Sequence, residues 1–250
     1  MADMPCKVSG SGAIPLVCIH GWCCESGQFD GLAGELADDF RVYRFDLPGH
    51  GRTPLDGFAP GFNAYARVVA DFVSSHGLER PILLGHSMGG VLALLAAQQI
   101  RPRAIINLDG SMPATPSSLA GLAALRGWLD APDFRQRLAG VLREGFFLPS
   151  ERDAQCKKII HTMCSAPEAV LRFLPEQAGD LEPDRLLEAL DMPVLYVGAD
   201  TPRFDPVRAS ALLPQLRFEQ VQGAGHFLPI YALPRVVALV RAFVTPERFL

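Results

Sequence analysis

Gly85-His86-Ser87-Met88-Gly89 is the segment of this 250-residue chain best suited to covalent chemistry. It reads G-x-S-x-G. The apolar run Pro81-Ile82-Leu83-Leu84 precedes it, and Gly90-Val91-Leu92-Ala93-Leu94-Leu95-Ala96-Ala97 follows. This pattern predicts a strand, a sharp turn and a helix, the context in which such a serine is presented for attack. The flanking glycines leave room for a tight turn, and the turn would hold Ser87 in a strained backbone conformation. The hydroxyl would then face a helix N-terminus, whose unpaired N–H groups favour developing negative charge. The chemistry implied is nucleophilic attack by Ser87.

A serine hydroxyl is a weak nucleophile until a base accepts its proton. The candidate base is His226, in Gly223-Ala224-Gly225-His226-Phe227, a glycine-rich loop after the last strand-like run. An acyl-transfer intermediate also needs two N–H donors for its oxyanion. One would be the backbone of Met88, directly after the nucleophile. The other would come from the loop after the first clear strand, His20-Gly21-Trp22-Cys23, where Gly21 permits the turn and the Trp22 N–H is the candidate donor. His20 reads as a structural pin for that loop, and Trp22 as a wall of the pocket.

The elements needed to position these groups follow an alternating rhythm. Strands are expected at Leu16–Ile19, Val42–Phe45, Ile82–Leu84, Ala104–Leu108, Val194–Val197 and Leu216–Val221. Helices are expected at Gln28–Asp39, Phe62–His76, Met88–Ile100, Val207–Leu213 and Leu233–Phe243. Strands alternating with helices imply a parallel sheet covered on both faces. The rhythm breaks between Ser111 and Asp191. No strand pattern occurs there, and proline-punctuated helical stretches are expected at Leu119–Leu129, Phe134–Phe147, Arg152–Cys164 and Glu168–Gln177. Such a block, inserted between two strands, reads as a helical cap over residues 111–191, with 1–110 and 192–250 forming the core domain. Trp128, Phe146, Phe147, Leu148, Met163 and Phe173 are candidates for a pocket over Ser87, most of them expected to be core of the cap.

Taken together, His20-Gly21-Trp22, Phe45-Asp46-Leu47-Pro48-Gly49-His50-Gly51, the Gly85–Gly90 turn and Gly223–Phe227 resemble the α/β-hydrolase fold superfamily along essentially the full chain. The resemblance implies a mostly parallel sheet of about six to eight strands flanked by helices. It also implies that Asp46 and His50 are structural. Only some fifteen residues precede the first clear strand, so the leading strand pair usual in the superfamily is expected to be reduced or absent.

The same resemblance places the third catalytic group, the acid that orients the histidine, after the Val194–Val197 strand in a Gly-x-x-Asp pattern. Here that stretch is Gly198-Ala199-Asp200-Thr201-Pro202, and the expected position holds Thr201. The candidates are Asp109, at the end of the preceding strand, where some relatives carry their acid, then Asp200 and Asp205. Asp109 is preferred. The implied activity is a serine hydrolase of the carboxylesterase type, cleaving a small or medium ester or thioester through an acyl-enzyme on Ser87. A weaker resemblance, to cofactor-free dioxygenases that cleave the quinolone ring, would make His226 a base without acylation of Ser87. C–C bond hydrolysis of a dione is a variant with the same residues.

Composition narrows the partners. Hydrophobic residues make up 49% of the chain, which suits a buried parallel sheet, and the net charge of −4 without a basic cluster argues against nucleic acid. No apolar run is long enough to span a bilayer. The six cysteines and six histidines show neither a disulfide framework nor metal-ligand spacing. A small-molecule substrate, no metal, no cofactor and a cytoplasmic location are the expectations.

Overall fold

The computed structural model describes residues 4–244. Seven strands form one sheet: β1 (Cys6–Ser9), β2 (Ile14–Ile19), β3 (Phe40–Phe45), β4 (Ile82–His86), β5 (Ala104–Leu108), β6 (Val194–Gly198) and β7 (Leu216–Gln220). Their spatial order is β1-β3-β2-β4-β5-β6-β7. All neighbours pair in parallel except β1, which runs antiparallel along the edge of β3 with Cys6 opposite Phe45.

The central strands are apolar on both faces because helices cover both. Val17, Ile19, Leu83, Ile105 and Tyr196 point into one core, and Leu16, Cys18, Leu84, Ile106 and Val197 into the other. This is the two-residue alternation of a strand placed between two layers. On the first face lie α2 (Phe62–Ser75) and α3 (Met88–Ile100), which pack on each other. On the second lie α1 (Asp30–Glu35), α10 (Leu228–Tyr231) and α11 (Leu233–Phe243). Between β5 and β6 come α4 (Pro116–Trp128), α5 (Phe134–Phe146), α6 (Ala154–Cys164), α7 (Glu168–Gln177) and α8 (Pro183–Glu188), and α9 (Pro206–Leu212) separates β6 from β7. No helix among the described residues is long and apolar enough to cross a membrane.

Differences from the sequence reading are local. A leading strand exists, as the single edge strand β1. Its four residues, Cys6-Lys7-Val8-Ser9, are too short a run for their alternation to announce a strand, and Val8 stays exposed. The helix expected over Gln28–Asp39 is instead a 3-10 turn, Ser26–Phe29, followed by the short α1. Gly27, Gly31 and Gly34 weaken helix propensity there. Helix α4 starts earlier than expected because Thr115 caps it, accepting the Ser118 N–H at 3.2 Å, with Pro116 in the first turn. Asp153 caps α6 by accepting the Cys156 N–H at 2.8 Å, so that helix begins at Ala154, later than the expected Arg152.

Candidate active site

Parallel strands end on a common edge, and that edge collects the candidate residues. Trp22 follows β2, Ser87 follows β4, Asp109 follows β5 and His226 lies in the loop after β7. The ladder runs on into the site: Ser87 N–H donates to the Leu108 carbonyl at 2.9 Å, and Asp109 N–H to the Val197 carbonyl at 2.8 Å.

Ser87 adopts φ 55° and ψ −122°, a conformation that side-chain-bearing residues rarely occupy. The surroundings enforce it. A Cβ on Gly85 would collide with the Gly89 backbone, and one on Gly89 with the Ile19 carbonyl. Ser87 is partly exposed, whereas its neighbours His86 and Met88 are buried. Met88 is the first residue of α3, so its N–H belongs to the unpaired first turn. The Trp22 N–H finds no backbone acceptor among the described residues. The indole of Trp22 is turned away into the packing, where its Nε1–H donates to the Val170 carbonyl at 2.7 Å, and it does not wall the cavity at Ser87.

His226 and Asp109 are both buried, and His226 Nδ1 lies 2.7 Å from Asp109 Oδ2. The other carboxylate oxygen of Asp109 accepts the N–H groups of Ala199 at 3.2 Å and Arg203 at 3.3 Å. Asp109 itself has φ 52°, a left-handed conformation that Asp tolerates better than most residues. Burial raises its carboxyl to about 6, against the lowering influence of the Arg203 guanidinium and the two N–H donors. Burial, then the nearby Arg203 charge, holds His226 well below the usual histidine range. The imidazole is therefore a neutral base in the resting protein.

Asp200 and Asp205 are engaged elsewhere. Asp200 is exposed and accepts the Gly223 N–H at 3.0 Å, bracing the loop that leads to His226. Asp205 caps α9 by accepting the Arg208 N–H at 3.0 Å. Of the three carboxylates considered, the fold brings Asp109 to the imidazole.

Four more residues also hold this site, and of these the sequence had singled out only Phe146, as pocket lining. His86, neutral with burial taking it down to about 3, donates from Nε2 to the His226 carbonyl at 2.8 Å. The Phe146 carbonyl accepts the His226 N–H at 2.9 Å. Buried Glu151 accepts the Gly225 N–H at 2.8 Å with one oxygen and the Leu148 N–H at 2.9 Å with the other. The histidine loop is thus clamped by the segment following β5. Arg203 is the fourth. Its Nε lies 3.2 Å from His226 Nδ1 and 3.8 Å from Asp109 Oδ2, Nη2 donates to the Gly145 carbonyl at 2.5 Å, and Cζ sits 4.1 Å above the Phe146 ring. Nδ1 cannot donate to Asp109 and accept from Arg203 at once. With Asp109 ionised, the shorter contact holds the proton, and Arg203 acts on the ring as a nearby charge.

The remaining motif residues organise loops. His20 Nε2 accepts the Leu47 N–H at 3.0 Å, and His50 Nε2 accepts the Cys23 N–H at 3.2 Å. Asp46 accepts the Ser26 N–H at 2.7 Å and the Arg52 N–H at 3.0 Å. A cavity of about 70 Å³ reaches Ser87, walled by residues that include Met88, Val91, Ser111, Ser118, Phe146 and Arg203. Of the six side chains proposed from sequence as pocket lining, Phe146 is the one found there. Phe147 stacks on Phe227, and Phe173 packs against Phe62 and Tyr65. A larger cleft of 310 Å³, between the Cys24–Gln28 loop and α6, contains neither Ser87 nor His226. No cluster of metal-ligating side chains occurs among the described residues.

Known proteins resemble this chain over most of its length. Pimeloyl-[acyl-carrier protein] methyl ester esterase from Stenotrophomonas maltophilia is 30% identical over 273 aligned positions, covering 96% of each protein. The uncharacterized hydrolase YugF of Bacillus subtilis is 24% identical over 241 positions, covering 87% of this chain and 85% of that one. A thermophilic esterase from Thermogutta terrifontis, solved with malate bound, superposes with a TM-score of 0.83 at 24% identity, over 99% of this chain and 94% of that one. The sequence model of the Alpha/beta hydrolase family matches residues 16–239. The chain belongs to the Alpha/beta hydrolase family.

Proposed function

We propose that the protein hydrolyses a small or medium carboxylic ester or thioester through an acyl-enzyme on Ser87. The observation that carries this reading is the 2.7 Å contact of His226 Nδ1 with Asp109, set on the strand edge where Ser87 is held in a strained turn. Ser87 Oγ attacks the ester carbonyl, and its proton passes to His226 Nε2. The imidazolium formed is stabilised by Asp109, which also keeps the proton of the resting ring on Nδ1. The oxyanion is held by the N–H groups of Met88 and Trp22. His226 then returns the proton to the departing alcohol or thiol, a water attacks the acyl-enzyme with His226 as base, and the acid is released.

The helices between β5 and β6 serve in this reading as a cap. They close the site from above through Phe146, and Glu151 fixes the height of the His226 loop. The small cavity favours short acyl groups. The test is a panel of ester and thioester substrates of increasing acyl length. Wild-type turnover that is lost in Ser87→Ala and in His226→Ala supports the reading. Turnover that survives Ser87→Ala contradicts it, as does oxygen uptake with a hydroxyquinolone in place of ester cleavage.

A further inference from the structure

Arg203 is the feature of the site that ester hydrolysis alone leaves without a purpose. The loop after β6 is where the superfamily pattern of the sequence expects an acid, and here that loop delivers a cation to the same histidine. Among the described residues the guanidinium has one carboxylate within ion-pair distance, Asp109, at 3.8 Å. That carboxylate is already committed to His226 and to two backbone N–H groups. The Arg203 side chain is 24% exposed, so its charge is only partly solvated, and a partly desolvated charge is costly unless it is paired. Moreover, a cation beside the imidazole opposes the imidazolium that acyl transfer must form. A neutral ester would leave both costs standing.

The guanidinium is also fixed in place. Nη2 is tied to the Gly145 carbonyl, the plane rests on Phe146, and the Arg203 carbonyl receives the Thr115 N–H at 3.1 Å and the Ser118 hydroxyl at 3.0 Å. Nη1 has no hydrogen-bond partner among the described residues, and the side chain lines the same cavity as Ser87. A rigid, incompletely paired cation with a spare donor on the wall of a reaction cavity is suited to an anion.

Resting on the ester-hydrolase reading, we infer that Arg203 selects esters whose acyl portion carries a carboxylate. The substrate is a half-ester or half-thioester of a dicarboxylic acid. Its free carboxylate pairs with Arg203 and offsets the charge next to His226. The cavity's 70 Å³ has room for only about five to seven water-sized centres, so the diacid is short, with four to six carbons.

The test compares kcat/KM for the monomethyl esters of succinic, glutaric and adipic acids with that for methyl pentanoate, at pH 7.5, in wild type, Arg203→Gln and Arg203→Lys. A charge-assisted hydrogen bond supports a wild-type preference for the anionic ester of about 10- to 100-fold. That ratio falls at least about tenfold in Arg203→Gln, chiefly through KM, and is largely kept in Arg203→Lys. A wild-type ratio near or below one overturns the inference. So does a ratio that Arg203→Gln leaves unchanged while both substrates slow together, since Arg203 would then serve the histidine alone. Fluorophosphonate labelling of Ser87 in the same preparations separates the two levels. Labelled protein without the charge preference refutes this inference only, whereas unlabelled protein refutes the hydrolase reading with it.

Discussion

Replacing Asp109 by Asn tests the site at its most constrained point. The orientation of the new amide is set by the backbone. Oδ1 of Asp109 accepts the N–H groups of Ala199 and Arg203, so the Asn carbonyl oxygen must stay there. The amide NH2 is then placed at the Oδ2 position, 2.7 Å from His226 Nδ1. An NH2 can only donate, so Nδ1 must become the acceptor and the ring proton moves to Nε2. That tautomer cannot take the proton of Ser87. Restoring the useful tautomer would set two buried donors against each other, at a cost of about 1–3 kcal/mol. Loss of the charge-assisted contact to the imidazolium adds about 1.5–3 kcal/mol. The sum, roughly 3–6 kcal/mol, is a loss of about 10²–10⁴ in kcat/KM.

Thermal stability supplies the folding control for that variant. The folded pKa of Asp109 is about 6, above the ordinary carboxylate value of 3.8. The native state therefore holds this proton more tightly than the unfolded chain, and the carboxylate disfavours folding increasingly as pH rises from 3.8 to about 6, then by a constant amount. At pH 8 the Tm of Asp109→Asn is accordingly no lower than that of wild type. The assay is the rate of Ser87 modification by a fluorophosphonate, which needs no knowledge of the substrate. A rate within tenfold of wild type, or a larger loss in Asp200→Asn, would refute the role assigned to Asp109.

The other expectations follow from the same geometry. In wild type, kcat/KM falls as pH drops through about 6, with an apparent value belonging to the coupled Asp109–His226 pair; a plateau extending unchanged to pH 4 would contradict it. Below that pH a protonated Asp109 no longer holds the ring, and the Arg203 Nε–H is placed to take over Nδ1. Glu151→Ala leaves the Gly225 and Leu148 N–H groups without their acceptor, costing about 1–3 kcal/mol in chemical denaturation and slowing Ser87 labelling, with Glu151→Gln milder on both measures. Gly85→Ala drives a methyl into the Gly89 backbone and destabilises by about 3 kcal/mol or more, whereas Gly140→Ala, in open space on α5, is neutral or stabilising by up to about 1 kcal/mol.

What the sequence discloses about this protein depends on how local the cause is. The turn around Ser87 is dictated within a few residues, by glycines whose neighbours admit no side chain, so it was readable without a structure. The parallel sheet was readable for a similar reason: strands buried on both faces are continuous apolar runs. Asp109 could be preferred over Asp200, but the reason lies in pairing between β5 and β6. That pairing carries Asp109 to the sheet edge opposite the His226 loop, and no single segment records it. Arg203 was not found, because a lone arginine in a proline-flanked loop reads as solvated surface. Its offset within the loop that should have held an acid was the available signal. Glu151 was hidden similarly. An acid in a helical block is ordinarily exposed, and only the docking of the His226 loop on the residues following α5 buries this one. Strand β1 was missed because an edge strand needs few apolar residues to pair.

The most direct measurement is the intact mass of the purified protein after reaction with a fluorophosphonate, followed by mapping of the modified peptide. A single adduct on Ser87, absent in His226→Ala, is the expected result. It requires both an activated hydroxyl and donors for the oxyanion. Absence of an adduct under conditions that saturate a control esterase would contradict acyl transfer at Ser87, and an adduct elsewhere in the chain would contradict the site itself.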